Sequence, residues 1–356
     1  MKSKKKDHKV FRERLAKTLQ FFAKHRQSTP RIEKTPESIV ILARECYGDC
    51  IMLTPLIGTL RRDYPELSIY VIAFSQIIFN FFSADPNVTA VYHSKRNIKR
   101  YYKEILTKKF DLLFNPKDHP STHFLIQSLL INARHKVGHL NPYHEGLYDH
   151  LITPGPNLHE SAKNLSLLRV ISSTEQQPPC KPYLPPMPVS AETAVFLKKI
   201  PQQQYIGINI SAGHIGGRRT HQQWSELINN FPKETFIIFS APQDLEEKRN
   251  LERPHANVLR SPSTRNIYEV GAIVKKLKIL VTPDTSLVHI ASCYDTPIIA
   301  LYRKHEADRS QFGPLSTIQE IIVSPTIDVI DIDSREVTGA LGRMLKKFPY
   351  ADGDKG

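Results

Sequence analysis

Four polar side chains follow a short apolar run at the point where a strand should turn into a helix: Asp284, Thr285, Ser286 and His289. The first N–H groups of a helix have no partner within it, and the helix dipole adds positive potential there. The backbone at Thr285, Ser286 and Leu287 could therefore bind a phosphate, with His289 one turn further on. The structural alternative is that Asp284 caps the helix and His289 is a buried histidine.

A second candidate is the turn "CYGDC", where Gly48 permits a tight turn and Asp49 opens a predicted helix. An Asp at the start of a helix usually caps it. A carboxylate that faces a bound hydroxyl group can instead act as a general base. The helix N-terminus should favour the charged form of Asp49, ready to accept a proton.

A third candidate is the glycine-rich loop "SAGHIGGRR", which follows a predicted strand and ends in Arg218 and Arg219. Glycines let a backbone approach a ligand closely, and arginine pairs well with phosphate oxygens. The alternative is a surface loop whose arginines face water. The loop lacks the P-loop pattern, so it does not indicate ATP hydrolysis.

Apolar runs alternate with helical patterns and would position these three stretches. Strands are predicted at 38–44, 67–74, 110–116, 135–139, 205–211, 235–242, 278–283 and 297–302. Helices are predicted at 49–64, 222–231, 244–251, 266–276 and 286–294. This alternation indicates parallel sheets covered on both faces. We therefore predict an α/β protein of two doubly wound halves, which bind ligands at the carboxyl ends of their strands.

The chain is predicted to contain five segments. They are a basic amphipathic arm (1–36), a first Rossmann-like domain (37–176), a linker (177–190), a second Rossmann-like domain (191–333), and a C-terminal helix and tail (334–356). The linker contains six prolines, a composition typical of a semi-rigid spacer.

Most of the excess positive charge lies in the arm. The chain has a formal charge of +14, and residues 1–34 hold twelve Lys or Arg against three acidic residues. Phe11, Leu15, Leu19 and Phe22 fall on one helical face. A basic amphipathic helix is typical of attachment to an anionic membrane surface, and the alternative is a helix that docks on the protein itself.

Several other classes of protein are disfavoured. No apolar stretch is long enough to span a bilayer, and no apolar core of a secretory signal follows the lysine-rich start. Four scattered cysteines predict reduced thiols rather than disulfides or a zinc site. The "DID" at 331–333 resembles a metal-binding motif, but it precedes a helix predicted near Ser334 and is interpreted as a cap.

Seven of the fifteen histidines lie between residues 119 and 159. His119 and His123 have helical spacing, but Pro120 argues against one helix that holds both. We therefore expect no metal site there and expect these histidines to border an acceptor surface.

In their order along the chain, the three stretches resemble glycosyltransferase family 9, the bacterial lipopolysaccharide heptosyltransferases. "YGDCIMLTPLIGTLRRDYP" is similar to the family's opening Gly-Asp helix with its Thr-Pro pair and Tyr-Pro ending. "PDTSLVHIA" is similar to its Asp-Thr-Gly-x-x-His-x-Ala motif, and "GINISAG" with the two arginines is similar to its basic loop. The similarity extends from about residue 38 to 345.

The resemblance implies an inverting, metal-independent transferase without a cofactor. It implies the GT-B architecture, in which two Rossmann-like domains face a cleft, with the acceptor bound by the domain at 37–176 and the nucleotide sugar by the domain at 191–333. By position, Asp49 would be the catalytic base, and Arg218 or Arg219 would be the leaving-group cation. The donor diphosphate would bind at the start of the helix that follows the strand at 278–283, at Asp284, Thr285, Ser286, Leu287 and His289.

Two details concern the donor. Ser286 replaces the family's glycine, which leaves less room beside the phosphates. Gln243 or Asp244, after the strand predicted at 235–242, is expected to meet a ribose hydroxyl.

The resemblance favours transfer of a heptose from ADP-heptose to the inner core of lipopolysaccharide or lipooligosaccharide. The expected partners are this donor, a lipid-linked core oligosaccharide and, through residues 1–34, an anionic inner-membrane surface on the cytoplasmic side. An alternative within the same fold uses another nucleotide sugar, such as a UDP-hexosamine. A basic nucleic-acid-binding protein is the alternative from a different class, but no nucleic-acid motif supports it and no nucleic-acid partner is expected.

Overall fold

The chain divides into two compact units, Met1–Lys181 and Pro182–Gly356. The computed structural model describes residues 10, 13–21, 32, 34–119, 121–153, 155, 157–171, 179–213 and 215–347. The proline-rich residues 179–190 are neither helix nor strand. In the described part of the chain, no helix is both long and apolar enough to cross a bilayer.

The first unit contains a six-stranded sheet. Its strands are β1 (Ser38–Leu42), β2 (Ser68–Ala73), β3 (Ala90–His93), β4 (Lys109–Asn115), β5 (Asn132–His139) and β6 (His150–Ile152). Helices cover the sheet: α1 (13–21), α2 (Tyr47–Asp63), α3 (Gln76–Ser83), α4 (Ile98–Tyr101, continued by a π-helical turn at Tyr102–Leu106), α5 (Thr122–Leu130), α6 (Glu160–Leu165) and α7 (Leu168–Ile171).

The second unit repeats this architecture. Its strands are β7 (Tyr205–Asn209), β8 (Thr235–Phe239), β9 (Val258–Leu259), β10 (Leu277–Pro283), β11 (Ile298–Tyr302) and β12 (Gln319–Val323). Its helices are α8 (Ala191–Lys199), α9 (His221–Asn229), α10 (Leu245–Glu252), α11 (Ile267–Val274), α12 (Ser286–Tyr294), α13 (Glu306–Phe312) and α14 (Ser334–Lys347). Helix α14 belongs to the core of this unit, where Val337, Leu341 and Met344 are buried.

Both sheets are parallel and have the same strand order. The orders are β3-β2-β1-β4-β5-β6 and β9-β8-β7-β10-β11-β12, read in the same sense. This is the doubly wound order, and it confirms the predicted α/β fold class. In the first unit, successive strands are added from β1 towards one edge of the sheet and then from β4 towards the other, so the winding changes direction between β1 and β4. In the second unit it changes direction between β7 and β10. Ligands bind outside the carboxyl ends of the strands at such switch points.

The predicted strands are confirmed to within a few residues, and the four strands that the sequence did not reveal are β3, β6, β9 and β12. Each of these lies at an edge of its sheet. Central strands are apolar throughout because both faces are covered, as in β1, where Ile39 to Leu42 are fully buried. Edge strands lack this continuous apolar signal.

Helix α2 contains a proline, yet the carbonyl that loses its usual N–H donor still accepts a hydrogen bond. Pro55 has no N–H group to donate to the carbonyl of Ile51, one turn earlier. The hydroxyl of Thr54 donates to that carbonyl instead, at 2.7 Å. The Thr-Pro pair therefore keeps α2 continuous from Tyr47, next to the strand ends, to Asp63.

Helix α1 packs against the first unit. Ala16 is fully buried in the core cluster of that unit, and Leu19 packs against the cluster. The side-chain amide of Gln20 donates to the carbonyls of Pro142 and Glu145, at 2.9 and 3.1 Å. Over residues 13–21 the structure thus supports the docking alternative for the arm. Phe11 and Phe22 of the predicted apolar face lie outside the described residues.

We predict that Ala16→Glu destabilises the protein by at least about 2 kcal/mol, because the new carboxylate must be buried or α1 must detach. Thr18→Glu makes the same charge change at an exposed position and should alter stability by less than about 0.5 kcal/mol. Urea denaturation of both variants measures the difference. Equal stabilities would show that α1 is not docked.

Candidate active site

Asp49 lies at the switch point of the first unit. Strand β1 ends at Leu42 and α2 begins at Tyr47, so Asp49 is in the first turn of α2. The N-cap residue, Cys46, makes no side-chain cap, and its backbone N–H donates to the Asp49 carboxylate. The carboxylate therefore stays beside the carboxyl end of β1.

A chain of buried ion pairs holds Asp49. Its Oδ1 lies 3.1 Å from Nε of Arg44, and both side chains are about 15% exposed. Arg44 also pairs with Glu160 on α6, which is almost fully buried. Lys163 lies 3.5 Å from Glu160 and 2.7 Å from Asp118, the latter just after β4. The chain of charges thus joins α2, α6 and the end of β4 around the switch point.

The protonation of Asp49 differs from the sequence prediction. Burial raises the pKa of Asp49 above its usual value, and the positive charge of Arg44 only partly offsets this. Glu160 raises the pKa further. The expectation that the helix N-terminus would favour the charged form was wrong about the net effect, because it left out desolvation. A carboxylate with a raised pKa is a stronger base once it is ionised.

The sequence missed every other member of this chain of charges. Asp118, Glu160 and Lys163 belong to none of the stretches that suggested chemistry, and Arg44, at the start of the stretch that contains Asp49, was assigned no role. The sequence signal for Arg44 and Asp118 is that Arg44 ends one predicted strand and Asp118 comes two residues after another, where side chains reach the ligand edge of a parallel sheet. Glu160 and Lys163 lie one helical turn apart in α6, but nothing in the sequence shows that they are buried.

The switch point of the second unit joins the ends of β7 and β10. Asn209 ends β7, and its side-chain amide donates to Thr282 at 2.9 Å and to Thr285 at 3.1 Å. Thr285 is the N-cap of α12, and its hydroxyl accepts from the N–H of Leu287. The prediction that Asp284 caps this helix was therefore wrong.

The start of α12 has two N–H groups for a ligand rather than the three predicted. The N–H of Leu287 is bonded to Thr285 at 3.3 Å, so it is already occupied. The N–H groups of Thr285 and Ser286 have no acceptor within the described residues. Both residues are half-buried, and His289 is buried one turn further along α12.

The two loop arginines lie in different surroundings. Arg218 is about a third exposed, and its Nη2 lies 2.9 Å from the carboxylate of Asp244. Arg219 is 4% exposed and donates to the Ile332 carbonyl and the Ser334 hydroxyl, at 3.1 and 3.2 Å. Burial lowers the pKa of Arg219 to about 10. Arg219 therefore links the loop after β7 to the start of α14, whereas Arg218 remains accessible to a ligand.

Gln243 and Asp244 line an open cleft of about 510 Å³, together with His221, Glu246, Glu247 and Asn250. The Asp244 carboxylate is buried and already accepts from the Ser211 hydroxyl at 2.6 Å and from Arg218. Its bonds tie the loop after β7 to the turn after β8. Gln243 has no such role in the described residues.

The histidines between 119 and 159 do not form one surface. His139, His144 and His150 are buried, so the expectation that they border an acceptor surface was wrong for these three. Burial lowers the pKa of both His139 and His144 to about 4. His119 precedes α5 while His123 lies in it, as Pro120 suggested. No cluster of three or more metal-binding side chains occurs in the described residues.

The "DID" stretch has structural partners. Asp331 accepts from the Thr326 hydroxyl, and Asp333 accepts from the backbone and side chain of Arg335 at the start of α14. The interpretation of Asp333 as a helix cap is confirmed.

Two doubly wound units with ligand edges at their switch points are the architecture of the GT-B fold. The sequence profile of glycosyltransferase family 9 (heptosyltransferase) matches residues 98–336. The chain belongs to this family, and it is a glycosyltransferase of the lipopolysaccharide heptosyltransferase type with the GT-B fold.

Known relatives agree with this assignment. The chain is 24% identical over 282 residues to lipopolysaccharide heptosyltransferase 3 of Escherichia coli, which covers 72% of this chain and 80% of the relative. The structure of a family 9 glycosyltransferase from Veillonella parvula has a TM-score of 0.70 at 15% identity, covering 90% of this chain and all of that one. The E. coli heptosyltransferase WaaC, solved with ADP, has a TM-score of 0.67 at 16% identity, covering 86% and 99%.

We predict that replacing each arginine by glutamine affects a different property: stability for Arg219 and ADP affinity for Arg218. Arg219→Gln should lower the free energy of unfolding by about 1–3 kcal/mol, because buried acceptors lose their donors. Arg218→Gln keeps a donor for Asp244, so stability should change little while ADP affinity falls about tenfold. Chemical denaturation and ADP titration measure both quantities. If Arg219→Gln instead lost ADP affinity and kept its stability, Arg219 would be the ligand-binding arginine.

Proposed function

We propose that the protein transfers a heptose from ADP-heptose to the inner core of a lipid-linked saccharide. The observation that carries this proposal is the half-buried Asp49 carboxylate at the switch point of the first unit, in a chain of family 9. The choice of donor is supported by WaaC, which has been solved with ADP and with ADP-2-deoxy-2-fluoro heptose.

On the donor side, we assign the diphosphate to the start of α12. The N–H groups of Thr285 and Ser286 and the dipole of α12 favour an anion there. Arg218 is the cation assigned to the departing diphosphate, and His289 and Asp284 border this position. Since Asp244 holds Arg218, Gln243 is the better candidate for a ribose hydroxyl. This donor set requires no divalent metal, because N–H groups and an arginine can stabilise the leaving charge.

The proposed reaction is a single displacement. The acceptor hydroxyl oxygen attacks the anomeric carbon of the heptose while its proton moves to Asp49. The bond between that carbon and the phosphate oxygen breaks, and ADP leaves with the electron pair. The configuration of the anomeric carbon inverts, because attack and departure occur on opposite faces of the sugar.

A transfer assay with a heptose-free, lipid-linked core acceptor tests this function, with ADP-heptose and a UDP-hexosamine compared as donors. We expect transfer from ADP-heptose and no effect of EDTA. Loss of transfer in EDTA, with recovery in magnesium, would refute the metal-independent mechanism.

Thermal shifts with ADP, UDP, GDP and CMP identify the nucleotide independently of the acceptor. A ligand at 100 times its Kd stabilises the protein by about 2.7 kcal/mol. A preference for UDP would favour the hexosamine alternative.

We predict that Asp49→Asn lowers kcat by about a hundredfold or more, since a general base contributes about this factor. ADP affinity should be nearly unchanged. Asp63→Asn removes a carboxylate at the other end of the same helix and is the control. Steady-state kinetics, ADP titration and melting curves distinguish the two. A stable Asp49→Asn variant with near-normal turnover would mean that another group is the base.

We predict that Glu160→Gln moves the acidic limb of the kcat/KM profile to lower pH. Glu160 raises the pKa of Asp49, and it also shares the charge of Arg44. Without Glu160, Asp49 is no longer repelled by a second carboxylate, and it interacts more strongly with Arg44. Both effects lower the pKa of Asp49. The expected result is a displacement of the acidic limb to lower pH, read from kcat/KM measured across the pH range.

Glu37→Gln removes an exposed glutamate before β1 and should leave the profile unchanged. If the limb of Glu160→Gln stays in place or moves to higher pH, Glu160 does not tune the base.

A further inference from the structure

A strongly basic segment follows the edge strand of the first sheet. Residues 95–109 contain seven Lys or Arg and one acidic residue, Glu104. All seven cationic residues are exposed: Lys95, Arg96, Lys99, Arg100, Lys103, Lys108 and Lys109. In the described part of the chain, Arg100 is the member that pairs with a carboxylate, at 3.1 Å from Glu104. The segment therefore presents a large excess of positive charge.

Two large apolar side chains are exposed among these cations. Ile98 is 67% exposed and Tyr102 is 60% exposed. They are four residues apart in one continuous helical stretch, so they lie on the same side of it. Tyr101 and Ile105, on the neighbouring face, are buried in the core of the unit. The stretch is already anchored, and Ile98 and Tyr102 are not needed for that anchoring.

This surface lies at the ligand edge of the sheet. It begins directly after β3, and all strands of the sheet are parallel, so it is at the same edge as Asp49 after β1. Strand β3 is two strands from β1, which corresponds to about 10 Å. A cavity of about 190 Å³ adjoins the segment, and its lining includes Gln76, His93, Arg96 and Arg100.

We propose that this surface, formed by Ile98 and Tyr102 with Lys95, Arg96, Lys99 and Lys103, docks on an anionic bilayer. Cations attract anionic headgroups, while an aliphatic and an aromatic side chain enter the boundary between headgroups and acyl chains. The inference rests on the proposed function, because an acceptor anchored in lipid must reach Asp49 while its lipid stays in the membrane. Docking at the edge that holds Asp49 satisfies this condition.

The surface differs from the arm predicted from the sequence. The arm was expected to attach residues 1–34, but the described part of α1 turns Ala16 into the protein core. An exposed isoleucine beside a tyrosine is suited to lipid rather than to nucleic acid, whose phosphate and base-edge contacts need polar groups.

Co-sedimentation tests the proposal, using phosphatidylethanolamine vesicles with and without phosphatidylglycerol. Binding should require phosphatidylglycerol and weaken with salt. The double variant Ile98→Ser/Tyr102→Ser should bind about tenfold more weakly, since two apolar side chains no longer leave water. The double variant Lys99→Glu/Lys103→Glu should lose most of its binding, and any binding that remains should no longer depend on salt. ADP affinity and melting temperature should be unchanged in both.

Matched controls lie in the second unit and in α1. Ile327→Ser removes an isoleucine that is 71% exposed, and Lys198→Glu/Lys199→Glu reverses two exposed lysines. Phe21→Ser removes the exposed aromatic of α1. All three should bind vesicles like the unaltered protein.

Vesicle binding unaffected by the changes at 98, 99, 102 and 103, or abolished by Phe21→Ser, would overturn the proposal, as would binding to duplex DNA or RNA in place of vesicles. The vesicle assay uses no sugar donor, so failure of heptose transfer alone would refute the proposed function and leave the docking surface intact.

Discussion

A parallel sheet covered on both faces confines polar chemistry to the ends of its strands. In β1 and β10 nearly every side chain is buried among helices, so a charged group can meet a ligand only where the chain leaves the sheet. The switch points provide the widest opening, because the neighbouring connections leave in opposite directions. Asp49 in the first unit and Thr285 in the second both occupy this position, although the two units have different sequences.

The surroundings of Asp49 show which compensating charges are needed to hold a carboxylate at the end of a buried strand. Arg44, Glu160 and Lys163 are largely withdrawn from water, and isolated buried charges are strongly unfavourable. Each charge in this chain is stabilised by a neighbour of opposite sign. Because Arg44 is shared between two carboxylates, neither is fully neutralised. Such an arrangement favours a fixed geometry, and a carboxylate whose pKa is set by its neighbours, over stability.

The sequence predicted the centres of the sheets and missed their edges. Fully buried strands such as β7 and β8 are continuous apolar runs, which the sequence shows directly. Edge strands such as β3 and β12 are short or partly exposed and depend on their neighbours for their conformation. The order of the three motifs along the chain predicted the family for the same reason, since each motif directly follows a central strand.

The site residues were only partly predictable, because motifs do not show three-dimensional partners. The sequence placed Asp49, Thr285 and Ser286 at strand ends, but it gave no means of separating Arg218 from Arg219. That difference depends on a carbonyl and a hydroxyl more than a hundred residues away, at Ile332 and Ser334. Likewise, the pKa of Asp49 depends on α6, whose Glu160 has no sequence signature.

The bond from Arg219 to the start of α14 also sets an order of assembly during synthesis. The loop leaves the ribosome 113 residues before Ile332, its partner. At about 5–20 residues per second, this is a delay of roughly 6–23 s. The first unit, which ends at Lys181, can complete its sheet in that interval. The second unit must wait for α14, so a nascent chain can complete the sheet beside Asp49 before the unit that contains Thr285.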